Sequence, residues 1–134
     1  MITGPSGRNY DPLPIDNAAG FPQQFPYLSG GVRYQFSLYV NVPEAALGAI
    51  DAVMTLPDTV STAQGLAQRF LVVRMDLLAP DGSQTTQFIR KAVPSIEYRA
   101  GALALYFPTQ IVARRNLNNA GNFGSTVIGG VAAL

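Results

Sequence analysis

Eight carboxylates are available for chemistry in this chain: Asp11, Asp16, Glu44, Asp51, Asp58, Asp76, Asp81 and Glu97. Two of them at the right separation can run a hydrolysis, one as acid and the other as base or nucleophile. Asp76 and Glu97 fall in segments that read as strands, so a sheet could bring them together. Nothing in their spacing requires it, and pairing outward with Arg74, Arg90 or Arg99 is the stronger reading. Other residue types narrow the field. The chain has no cysteine and no histidine, which removes disulfides, thiol nucleophiles, Cys/His zinc sites and every His-dependent triad. Asp81-Gly82-Ser83 lacks the further alternating oxygen ligands of a calcium loop and reads as a hairpin turn. Gly4-Pro5-Ser6-Gly7 is not followed by Gly-Lys-Ser/Thr and is no phosphate loop. No catalytic residue, metal ligand or cofactor site is assigned, and no enzyme is expected.

The basic residues and aromatics offer binding rather than catalysis. Arg114-Arg115, with Arg90-Lys91 and Arg99, could line up against the phosphates of a packaged genome. The strip is short, and a solvated face or ion pairing between subunits is the stronger reading. Arg accounts for all the basic residues except Lys91, and its planar fork suits bidentate interface pairs. Tyr34, Phe36, Tyr39, Tyr98, Tyr106 and Phe107 could stack on sugar rings, with Tyr39 and Phe107 expected off the main apolar stripe. No Asn, Asp and Trp platform stands beside them, so core or interface packing is the better account.

These side chains must be placed by extended elements. Val32 to Val42, VRYQFSLYVNV, alternates apolar and polar residues and predicts a half-buried strand. Residues 43–54, PEAALGAIDAVM, carry apolar residues at helical spacing behind a Pro and predict a short helix, with a strand over AIDAVMTL as the alternative. Residues 59–68 read as a loop or a second short helix. RFLVVRMDLLAPDGSQTTQFIRKAV predicts a hairpin turning at Ala79-Pro80-Asp81-Gly82, with strands of about ten and eight residues. Two short strands flank Ala100-Gly101, and another follows Pro108. Five or six strands and one helix make a mainly β fold: a compact β-sandwich or jelly-roll-like module, with an α+β sheet as the alternative.

The two ends read differently from this core, taken as residues 32–115. Residues 1–31 hold five prolines, which restrict the chain to extended geometry, together with Tyr10, Phe21, Phe25 and Tyr27. A solvated tail is poor in aromatics, so this segment is expected to lie as an arm on a surface, a neighbour's in preference to its own. Ser29-Gly30-Gly31 would be its hinge. Deleting residues 1–28 should then leave the domain folded. Residues 116–134 form an Asn/Gly-rich, uncharged tail that ends in an edge strand or a second arm. The predicted interface residues are Tyr10, Phe21, Phe25, Tyr27, Arg114 and Arg115.

Composition points the same way. Of the 134 residues 48% are hydrophobic and only 13% are charged, about half the usual share of charge. A lone monomer of this size relies on a charged coat, so much of the surface is expected to be covered by partners. A net charge of +1 gives no general pull toward nucleic acid. No run reaches about 18 apolar residues, so no membrane-spanning helix is expected. No basic segment leads into an apolar run at the start, so no Sec leader is expected.

In this organisation the chain resembles small structural proteins of phage and viral particles. The shared features are an extended Pro/Gly/aromatic arm, a small β-domain, an uncharged Asn/Gly-rich tail and no cysteine. The resemblance implies a non-catalytic minor capsid, vertex or decoration protein of a virion assembled in the host cytoplasm. Its partners would be itself and other virion proteins, joined through the arm, with no small-molecule substrate. The alternative is a soluble β-sandwich module that binds a carbohydrate or a peptide.

Overall fold

A computed structural model describes residues 1–134. Two antiparallel sheets pack face to face as a β-sandwich, the mainly β fold that the alternation predicts. The strands are β1 (Ile2–Thr3), β2 (Asn9–Pro12), β3 (Gln23–Ser29), β4 (Val32–Asn41), β5 (Val53–Thr55), β6 (Asp58–Thr62), β7 (Gly65–Leu78), β8 (Gln84–Lys91), β9 (Glu97–Ala100), β10 (Leu103–Ala113) and β11 (Thr126–Ala133). One sheet runs β1-β2-β11-β10-β5, with β9 also paired to β10. The other runs β3-β4-β7-β6, with β8 also paired to β7.

The alternation of β4 is realised as read. Tyr34, Phe36 and Leu38 are buried, and Phe36 pairs with Phe25 of β3 on one side and Met75 of β7 on the other. From the second sheet Leu103, Leu105, Val112, Val127 and Val131 close the same core. Ala79 to Ser83 turn β7 into β8 as Pro-Asp-Gly chemistry requires. The Ala79 N–H donates to Ser83 O at 2.9 Å, and the Ser83 N–H and Oγ both donate to Asp81 Oδ1.

Several expectations are overturned. Residues 43–54 form no α-helix. A single 3-10 turn spans Glu44–Ala46, and Met54 is buried in β5, where it pairs with Val112. Gly48, at φ +73°, breaks the helical path. Residues 59–68 are neither loop nor helix, since they build most of the β6–β7 hairpin. Pro108 does not end a strand. β10 runs through it: Phe107 follows Leu103 and Leu105 in simple alternation into the core instead of facing away, and the irregularity between Tyr106 and Thr109 shifts the phase so that Val112 faces inward beyond it. The final strand is not an edge either, because β11 lies between β2 and β10.

The largest correction concerns residues 1–31. Gly30 and Gly31, at φ +58° and +79°, form the two-residue turn of a β3–β4 hairpin, so they are no hinge. β2 pairs with β11, and β1 pairs with β2. The arm therefore belongs to both sheets of its own domain, and the division at residue 31 does not separate an arm from a core. The reason is in β11. A Cβ on Gly129 would fall 2.5 Å from the Phe107 ring, and one on Gly130 would fall 2.5 Å from Tyr10 Cβ. Paired glycines in a strand let bulky side chains lie against the backbone on either face.

Candidate interaction surfaces

Four of the six predicted interface residues point into the protein. Phe21 and Phe25 are core residues, with Phe25 stacked on Phe36 at 5.6 Å between ring centroids. Tyr27 is half-buried and meets Phe36 edge-on. Tyr10 is 0% exposed yet lies outside the inter-sheet core. Tyr106, Gly130 and Glu97 are opposite one another in register on the outer face of the six-stranded sheet. Tyr10 packs there against Tyr106, at 5.6 Å, under the turn Gly4–Gly7. These four aromatics hold the segment to its own domain, which corrects the expectation that they meet a neighbour.

Glu97 is the fastener of that turn. Its carboxylate accepts bonds from Tyr10 OH at 2.6 Å, Ser6 Oγ at 2.8 Å and Ser6 N–H at 2.8 Å. These donors favour the charged form and hold Glu97 below the usual carboxylate range, with Tyr10 the largest cause. Burial, then the bond and charge of Glu97, push Tyr10 up to about 12. Asp76 sits elsewhere. It pairs in register with Gln35 and Thr86 on the outer face of the five-stranded sheet, and Arg74 Nε reaches it at 3.0 Å. The whole sandwich separates Asp76 from Glu97, so they form no catalytic pair. The Arg74 pairing is the outward partnership expected from the sequence.

The basic residues do not form a strip. Arg90 and Lys91 end β8 of one sheet, while Arg99 lies in β9 of the other. Lys91 covers the Phe70 ring and donates to Gln68. Arg114 and Arg115 sit on a 3-10 turn that follows β10. They do line a hollow together. Its floor is Val40, Val42, Leu47 and Leu117, and its rim carries Glu44, Asn118 and Asn119, in a volume of about 540 Å³. Arg114 donates to Gly48 O, and Arg115 lies 5.8 Å over Phe123. The two ion pairs of the chain are Arg69–Asp58 and Arg74–Asp76, so neither of these arginines has a carboxylate partner. Of the aromatics considered for sugar stacking, Tyr34, Phe36 and Phe107 are in the core. The Tyr98 hydroxyl is bound to Val93 N–H and Lys91 O.

Two surfaces escaped the sequence reading. One is the β6–β7 hairpin, with Leu66 at 77% exposure. The other is an apolar hollow of about 900 Å³ beside the β3–β4 and β7–β8 turns. Residues 59–68 carry no charge and hold Thr59, Val60 and Thr62, so β-branching was the available signal. The hollow is assembled from segments some 50 residues apart, and no local pattern foretells it. No group of three or more potential metal ligands occurs, and no helix is long and apolar enough to cross a membrane. Comparison with protein-family models, curated proteins and solved structures finds no significant match to this chain.

Proposed function

We propose that this protein is a structural subunit of a large assembly such as a virion, in a minor capsid, vertex or decoration role. One observation carries the reading. A domain with only 17 charged side chains leaves ten large apolar ones exposed, among them Leu28, Val32, Ile50, Val53, Leu66 and Ile89. Exposed apolar surface on a charge-poor domain is stabilised by cover. The joining surfaces in this reading are the outer ends and edges of the sandwich, since residues 1–31 are engaged with their own domain. Light scattering of the full chain across a concentration series tests it. The expected result is a mass that rises above 14.3 kDa to a defined oligomer or a growing series. A single-chain mass throughout would count against self-assembly.

The hollow at Arg114 and Arg115 favours a second reading, a module that binds a peptide or a carbohydrate. Its apolar floor and convergent Arg and Asn groups have the make-up of a ligand site. Calorimetric titration with acidic peptides and a glycan panel tests this reading. Binding by a single chain, lost in Arg115→Ala, would replace the first reading.

A further inference from the structure

An edge strand presents unpaired main-chain groups, and proteins guard such edges against other strands. Most edges of this sandwich are guarded. β2 and β3 carry Pro12 and Pro26. β8 has an extra residue, Gln87, between the partners of Met75 and Asp76, and it ends in Arg90 and Lys91. β1, β5 and β9 are two, three and four residues long, and β9 carries Glu97 and Arg99. β6 is the exception. It closes the order β3-β4-β7-β6 with the five residues Asp58–Thr62, without proline or irregularity. Its one charge, Asp58, is neutralised at both oxygens by Arg69 of the same hairpin.

The register fixes which groups of β6 are free. In an antiparallel ladder alternate residues turn their main-chain N–H and C=O to the partner, and the residues between them turn theirs away. The two-residue turn Ala63-Gln64 makes Thr62 and Gly65 a bonded pair. Odd-numbered residues of β7 therefore bond on this side, as Leu71 O does further along in accepting from Ala92 N–H at 2.8 Å. Val60 and Asp58 bond in turn with Ala67 and Arg69. Thr59 and Ser61, opposite Gln68 and Leu66, turn their main-chain groups outward, and both residues are exposed.

Resting on the self-assembly reading above, we infer that two copies join by antiparallel pairing of β6 with β6 about a two-fold axis at Val60. In this register Thr59 of each copy faces Ser61 of the other. Each such pair exchanges both main-chain bonds, because these are the residues whose groups face outward. Val60 meets Val60 of the second copy as the close, non-bonded pair, where β-branched side chains pack together. Asp58 faces Thr62 of the second copy, so no like charges are opposed. The edge thus complements itself in bonding phase and in charge, which an isologous contact requires.

Residue 60 meets itself only across such an axis, so opposite charges placed there test the pairing. Val60→Lys and Val60→Glu each set like charges directly opposite one another. By light scattering each variant alone should stay at 14.3 kDa, where the wild type reaches at least twice that mass. An equimolar mixture should regain the dimer, because Lys then faces Glu. Near-ultraviolet circular dichroism checks the fold of both variants. Thr59→Pro removes an outward N–H while sparing the bonds to β7, and it should block association if either charged variant fails to fold. Variants that associate like wild type would overturn this pairing while leaving self-assembly standing. A mixture of folded variants that stays at 14.3 kDa would overturn it as well. A wild type that never associates would bring down both the pairing and the self-assembly it rests on.

Discussion

Glu97 and Tyr10 show how single residues decide whether the N-terminal segment is an arm or part of the domain. Glu97 gains its donors only on folding, so its folded pKa is depressed. Its contribution to stability is full above the ordinary carboxylate pKa and is lost as pH falls through and below that range. Tyr10 has the opposite sign. Its raised pKa means a contribution that is full below pH 10.0 and lost as pH rises toward about 12. Glu97→Gln should therefore flatten the acid limb of stability against pH and bring the Tyr10 titration down toward its ordinary value. Urea midpoints across pH check the first, and ultraviolet absorbance of the tyrosinate checks the second. An acid limb unchanged by the substitution would mean that Glu97 does not fasten the turn. None of this was legible in the sequence. Glu97 and Ser6 lie 91 positions apart, and a carboxylate on a strand looks the same whether it meets solvent or a distant turn.

Among elements, what could be read is what local periodicity encodes. The strand over 32–41 and the Pro-Asp-Gly hairpin are specified by neighbours in sequence, and both stand as read. The segment 43–54 has helical spacing, yet Met54 is held by cross-strand pairing to Val112, a partner that no local pattern reveals. At Gly30-Gly31 the local signal is sufficient, because two glycines between two β-rich runs are a hairpin turn before they are a hinge. Only a hinge there would make residues 1–31 an arm. With Tyr10 and Phe21 buried and β3 paired along β4 from Gln23 to Ser29, deleting residues 1–28 should abolish cooperative folding instead of sparing it. Loss of near-ultraviolet circular dichroism and of a cooperative urea transition is the expected outcome. A truncated chain that unfolds as sharply as the full one would restore the arm. The candidate surfaces were only half legible: Arg114 and Arg115 do line a hollow, whereas the hairpin and the second hollow depend on tertiary neighbours.

At the scale of the whole molecule, the sandwich is closed around its own N-terminal segment and left open at its ends. Its core needs nothing from a partner, since both sheets and the strands of residues 1–31 come from one chain. Its exposed large apolar side chains include Leu66 on the β6–β7 hairpin, Leu28 and Val32 beside the β3–β4 turn, and Val53 and Ile89 on the edge strands β5 and β8. Association should then add contacts without exchanging strands. Hydrogen–deuterium exchange of the full chain, compared between dilute and concentrated protein, tests this claim most directly. Amides of Thr59 and Ser61 on the free edge of β6 should gain protection on concentration, while those of β2 and β3 stay the same. Protection that changes in β2 and β3 instead, or nowhere, would contradict the account.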